Sequence, residues 1–258
     1  MFKKFRILLL LLVLATVGLG AWRANARLTA WEHTVHVAIY PVAADDSPTT
    51  ARFVSELNAE QFAEIAQWLQ SESDRHGRSV LQPVSLNLAP ALASKPPLPP
   101  SHGSTLDIML WSLKLRWWAA QNDKIAGPKP QVRLYVLFHD PERGNVLPHS
   151  TGLSKGQVGI IHAFAHRLQR RQNNVVIAHE LLHTFGATDK YDLATQQPIY
   201  PQGYAEPERQ PRLPQQLTEI MGGRRPIDEN HAEIPAGLAA TLIGPLTAQE
   251  IGLQRSTR

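Results

Sequence analysis

His179, Glu180 and His183 follow one another as His-Glu-x-x-His within Val175–Asp192. On a helix, side chains four apart lie one above the other. The two imidazoles can therefore hold one metal ion together. Glu180 sits about 100° round the helix axis and reaches a metal-bound water without being a ligand. Two neutral nitrogens beside a carboxylate suit zinc-assisted hydrolysis. Gly186, three residues after His183, is a natural helix stop, because glycine adopts the left-handed conformation cheaply. The turn brings back Asp189, whose carboxylate is the third ligand such a site requires. This set predicts one zinc ion as cofactor. Asp192 and Glu206 are rival third ligands, and Asp192 can instead orient a ligand histidine. Tyr191 and Tyr204 are each able to bond an oxyanion. His162 and His166 are also four apart, but no glutamate stands between them. They are candidates for a second metal site or for a closing fourth ligand, or, more plainly, surface or cleft residues.

His179-Glu180-x-x-His183-x-x-Gly186-x-x-Asp189 resembles the extended zinc motif of the metzincin metallopeptidases, in the aspartate variant of snapalysin-like enzymes. The resemblance covers Asn173 to about Gly223. It implies a methionine turn beneath the metal, and Glu219-Ile220-Met221-Gly222-Gly223 is placed for it. Met221 is one of three methionines. The usual third ligand of that family is histidine, so Asp189 is a departure. Some members carry a tyrosine shortly after the methionine turn; no tyrosine follows Met221 here. The family implies peptide-bond hydrolysis, with Glu180 as general base and Met221 packed under the ligands rather than bound to the metal.

Several elements must position these groups. Val175, Val176, Ile177, Ala178, Leu181 and Leu182 predict a buried helix, with Asn173 or Asn174 as N-cap. His33–Val42, Gln131–Phe138 and Gln157–Ala165 read as strands. Asn58 to about Ser73 reads as a helix with an Asn58–Gln61 capping box. Ser104–Gln121 reads as another, with Leu106, Met109 or Leu110, Leu113 and Trp117 on one face and its tryptophans in the core. Leu81–Pro100, ending in four prolines, reads as an extended loop. From Tyr191 to Pro235 the chain is irregular, which in a compact domain is usually functional. Thr247–Glu250 reads as the capping box of a last helix, Ala248–Gln254.

The chain has 258 residues and no cysteine, which excludes thiolate metal sites and disulfides. The formal charge of +4 owes three positive charges to Lys3, Lys4 and Arg6; without them 23 basic residues face 22 acidic ones. No dense basic face points to nucleic acid, and Arg167, Arg170 and Arg171 read as a solvated segment. The basic start precedes an uncharged apolar run, Ile7–Trp22. This is a signal-anchor, or a signal peptide cut near Ala24-Asn25-Ala26, with the bulk of the chain outside the cytoplasm.

The expected architecture is α/β or α+β. Residues 1–26 are the anchor or signal, and 27–258 a metzincin-like zinc peptidase domain. Its upper lobe, about 30–186, holds a mixed sheet and the active-site helix; its irregular lower lobe is about 187–258. The expected partners are a polypeptide substrate and the membrane. Two other functions stay open: a non-catalytic, membrane-tethered zinc module, and hydrolysis of a cell-wall type of amide.

Overall fold

The computed structural model describes residues 2–78, 80–100, 104–154 and 156–254. A helix, α1 (Phe2–Ala30), leads into the first strand, β1 (Val35–Ala43). It runs unbroken past Ala26, and its end belongs to the body: Leu28 in its last turn and Trp31 just beyond it are 3% and 2% exposed. The Trp31 indole N–H donates to the Ile251 carbonyl at 2.7 Å. Among the described residues, no helix is long and apolar enough to cross a membrane.

A mixed five-stranded sheet forms the centre. Its order is β2 (Val84–Leu88), β1, β3 (Val132–His139), β5 (Val158–Phe164), β4 (Thr151–Leu153). The first four are parallel, with Val37 opposite Val132 and Tyr135 opposite Ile160; β4 closes the edge antiparallel. β1, β3 and β5 are apolar on both faces, as parallel strands covered on both sides must be. The fold is therefore mixed α/β. Within Leu81–Pro100, expected to be loop throughout, Val84–Leu88 instead pairs with β1; its alternation was masked by the prolines that follow.

One face is covered by α3 (Ala63–Arg75) and α5 (Arg170–Phe185), the helix that carries His179 and His183. Burying each of Ile177, Leu181, Leu182 and Phe185 contributes about 1.5–3 kcal/mol. A short helix, α2 (Pro48–Ser55), capped by Ser47, was not foreseen. Asn58 makes no capping bond; a 3₁₀ turn, Ala59–Phe62, precedes α3 instead. Nor do Asn173 and Asn174 cap α5, which begins three residues earlier. Asn173 pairs with both backbone groups of Phe164, and Asn174 donates to the Gln61 carbonyl. These three bonds fasten α5 to β5 and to the turn before α3.

The other face is covered by α4 (Thr105–Asn122), started by a Ser104–Asp107 capping box. Here the expected core face is reversed. Leu115 and Ala119 are buried and Trp111 and Trp118 pack beside them, while Trp117 is 65% exposed. Beyond α5 the chain forms short pairings, β6 (Thr218–Glu219) with β9 (Thr241–Leu242) and β7 (Arg225–Pro226) with β8 (Ala232–Glu233), then α6 (Pro245–Glu250). Gly244 occupies the N-cap of α6 without a side-chain bond, so the expected Thr247–Glu250 capping box is absent.

Candidate metal centre

α5 sets His179 and His183 one turn apart, with ring centroids 4.8 Å apart and planes nearly perpendicular. Gly186 ends the helix at φ +110°, a conformation in which a side chain would be strained. The turn places the Ala187 carbonyl 2.8 Å from His183 Nδ1. The Ile220 carbonyl lies 2.9 Å from His179 Nδ1. A carbonyl only accepts, so each Nδ1 carries the hydrogen and each neutral ring keeps its Nε2 lone pair free.

Those two Nε2 atoms are 3.1 Å apart, and each is 3.1 Å from Asp189 Oδ1. Asp189 Oδ1 is buried and accepts no well-directed hydrogen bond from either ring. Three acceptors facing one point at such separations call for a cation between them. Ligand atoms held about 2.0–2.1 Å from one tetrahedral zinc lie about 3.3 Å apart, so the triangle fits. His179, Glu180 and His183 also form a group whose ligand atoms lie within 4.8 Å of one another and could hold a metal ion.

Charge follows the geometry. Burial disfavours the His179 imidazolium, but the carboxylates of Asp189 and Glu180 and the Ile220 carbonyl outweigh it and raise its pKa. Burial likewise opposes ionisation of Asp189, yet the two imidazoles hold its carboxyl well below the usual range. Glu180 is 4% exposed; burial pushes its carboxyl up against the pull of both histidines. Its Oε2 has no hydrogen-bond partner. An unpaired buried carboxylate oxygen is costly and is suited to taking a proton from a bound molecule.

Tyr191 lies beside the triangle, its ring 6.3 Å from that of His179. Burial, then the Asp189 and Glu180 charges, push its phenol up to about 12. Asp192 is exposed and spends its Oδ1 on the backbone N–H groups of Ala194 and Thr195. It orients neither histidine. Glu206 Oε2 accepts from the N–H groups of Gln216 and Leu217. Tyr204 packs edge-on against Tyr200 and is not among the cleft-lining residues.

A cleft of about 280 Å³ opens over Glu180, with His149, His162, Tyr191 and Arg224 in its walls. A larger hollow, about 880 Å³, lies beside the end of α1 but borders no part of the triangle. His162 does not join His166 in a second metal site. Its Nδ1 lies 2.8 Å from His139 Nε2, while His166 Nδ1 accepts from the Leu168 N–H. Burial, then the charges of His139 and His149, lower the His162 pKa to about 4.

Sequence reasoning missed what holds the turn. Met221 is fully buried, and its carbonyl accepts from the Lys190 N–H at 2.8 Å. Glu219, also fully buried, accepts from the N–H groups of Gly222 and Gly244 and from the Thr247 hydroxyl. Lys190 Nζ reaches Glu250 Oε2 at 2.8 Å. The loop carrying Asp189, the Met221 turn and α6 are thus bonded together. A lone lysine in an irregular loop offers no pattern to read, and Thr247-x-x-Glu250 imitates a capping box. Gly152 was missed too: a Cβ there would lie 2.4 Å from the Glu180 carbonyl oxygen, so only glycine lets β4 run against the metal helix.

No family model and no curated protein matches the chain. Among solved structures, wild-type OgpA from Akkermansia muciniphila is similar over 86% of this chain and 62% of that one, at 13% identity and a TM-score of 0.37. This chain spans less than two thirds of the length of that protein, and a likeness this slight carries no argument about fold or activity.

Proposed function

We propose that this chain is a zinc metallopeptidase of the metzincin type, with two lobes meeting at the cleft. The observation that carries the reading is the triangle of His179 Nε2, His183 Nε2 and Asp189 Oδ1, each 3.1 Å from the others, with the unpaired Oε2 of Glu180 beside it. A structural metal module has no use for that buried, unbonded carboxylate oxygen in the cleft wall.

His179, His183 and Asp189 would hold the ion. When bound, zinc supplies Lewis acidity toward a carbonyl and makes water easier to deprotonate. Glu180 takes the proton from the attacking water and passes it to the leaving amine. Tyr191, protonated at neutral pH, offers a hydrogen bond to the oxygen that gains charge. The Ile220 carbonyl, in the turn that carries the buried Met221, fixes the His179 ring. The outer edge of β4, half-exposed and last in the sheet, offers an extended polypeptide a row of backbone groups to pair with. That edge favours peptide over a small cell-wall amide as substrate.

The uncharged run Ile7–Trp22 after Lys3, Lys4 and Arg6 supports an anchor with the domain outside the cytoplasm. Protease shaving of spheroplasts then removes the domain; protection alongside cytosolic markers would overturn that placement.

The deciding experiment compares metal content and digestion of a mixed peptide library and a cell-wall peptide for wild type and His183→Ala. One zinc per wild-type chain, lost in the variant together with peptide cleavage, supports the reading. Full zinc retention by His183→Ala, or a zinc-loaded wild type that cleaves nothing in the panel, overturns it.

A further inference from the structure

α4 has two faces of opposite fate. At 100° per residue, Trp111, Leu115, Trp118 and Ala119 fall on one side, where they pack on the sheet. Leu106, Met109, Leu110, Leu113 and Trp117 fall on the other, spaced i, i+3, i+4, i+7 and i+11. These five are 57–68% exposed. Soluble surfaces seldom carry so long an uninterrupted apolar stripe.

The charges around the stripe are mostly positive. Lys114 and Arg116 lie about 80° to either side of it. Of the two nearby acids, Asp123 is paired with Arg133, and Asp107, held in the Ser104 cap, keeps its charge at the start of the helix. Lys95, Lys124 and Lys129 are exposed at the flanks. The proline loop is held to this helix, because the Trp111 indole donates to the Pro97 carbonyl at 2.8 Å and leaves Leu98 55% exposed. Asp123, just past α4, is bonded to Arg133 near the start of β3. β3 begins level with β1, into which α1 leads. The two apolar helices therefore meet the same end of the sheet.

We propose that α4 is an interfacial helix that lays its Leu106–Trp117 stripe into an anionic lipid surface, with Lys114 at headgroup level and Lys124 and Lys129 beyond its end. Leucine, methionine and tryptophan rimmed by long cationic side chains suit that boundary, because the stems stay with the apolar layer while the charges reach the phosphates. A second copy of the chain is a poorer occupant: pairing the stripe with itself in parallel sets Lys114 against its own counterpart. The proposal does not depend on peptidase activity.

The absence of cysteine permits a direct test in the full chain. Met109→Cys, Leu113→Cys and Leu168→Cys variants each carry one nitroxide label; Leu168 is 88% exposed, near the start of α5. The labelled chains are reconstituted into phosphatidylcholine vesicles with and without phosphatidylglycerol. With the anionic lipid, labels at 109 and 113 should lose collisions with an aqueous nickel chelate and gain collisions with oxygen, while the label at 168 stays aqueous. Adding Lys114→Glu and Lys124→Glu should return the label at 113 to water. Flotation of the vesicles reports membrane attachment separately. A chain that floats with its 113 label still aqueous refutes the proposal, as does a chain that fails to float. Protection that is equal without anionic lipid, or that grows with protein per vesicle, also overturns it, the latter in favour of self-association.

Discussion

The Nδ1 hydrogen of His179 is held by the carbonyl of Ile220, 2.9 Å away and 41 residues downstream. The turn carrying Met221 therefore sets the tautomer of a candidate ligand, and Glu219 in turn holds that turn through three accepted hydrogen bonds. Glu219→Ala leaves three buried donors unsatisfied. Zinc affinity should fall about 10–100-fold, and unfolding free energy by about 1–3 kcal/mol. Chelator competition and denaturant unfolding measure the two. Glu219→Gln, with one acceptor oxygen, should lie between. Unchanged zinc affinity in both variants would sever the turn from the metal.

Glu180→Gln should bind zinc as wild type does and keep the fold, because Glu180 Oε2 has no partner to lose. Turnover should fall about 10²–10⁴-fold, the usual worth of a positioned proton acceptor. Burial raises the Glu180 carboxyl. Since the base must be ionised, the acid limb of the wild-type rate profile should lie above the ordinary carboxylate range and vanish in the variant. A variant as active as wild type would refute the assigned mechanism.

Gly152→Ala puts a methyl 2.4 Å from the Glu180 carbonyl oxygen and 2.6 Å from His183 Cβ. Both neighbours sit on α5, so relief requires β4 or the helix to shift. Overpacking of this kind costs about 1–3 kcal/mol. Thermal unfolding should show that loss, and zinc titration a weaker site. A neutral result in both would mean that β4 yields freely.

His162, lowered to about 4 by burial and by His139 and His149, stays neutral in the fold where the unfolded chain protonates. The unfolded state then binds more protons below its ordinary value of 6.5, so stability falls as pH drops from about 6.5 toward 4. The loss is at most about 3 kcal/mol, shared with His139. His162→Gln should flatten this slope; thermal unfolding between pH 7 and 4.5 compares the two. Parallel slopes would remove His162 as the titrating group.

The grouping of His179, His183 and Asp189 was legible because its parts are local. His179, His183, Gly186 and Asp189 span one helix end and one turn, where spacing alone sets geometry. The strands β1, β3 and β5 were legible because runs such as Val132–Phe138 are apolar on both faces. Glu219, Lys190 and Gly152 were not, since each acts on a residue distant in sequence or on a neighbour's backbone. α4 misled for a different reason: periodicity marks an apolar stripe but not what it faces, and this helix carries two. Asp192 and Glu206 have the right chemistry for ligands, yet Asp192 is occupied by backbone N–H groups of its own turn and Glu206 by those of Gln216 and Leu217.

Only four residues, 31–34, separate α1 from β1, and Trp31 among them stacks on Phe185, two positions beyond His183. α1 is thus a rigid strut and not a leash. Were α1, with its 29 residues near 43 Å long, inserted in a bilayer as proposed, it would fix the height of the cleft above the lipid. Substrates would then be cut within a narrow band of distances from the membrane. Gly-Ser residues inserted after Ala26 should broaden that band without changing zinc content, and mapping cut sites on a tethered peptide ladder would reveal it. An unchanged band would show that reach is set elsewhere.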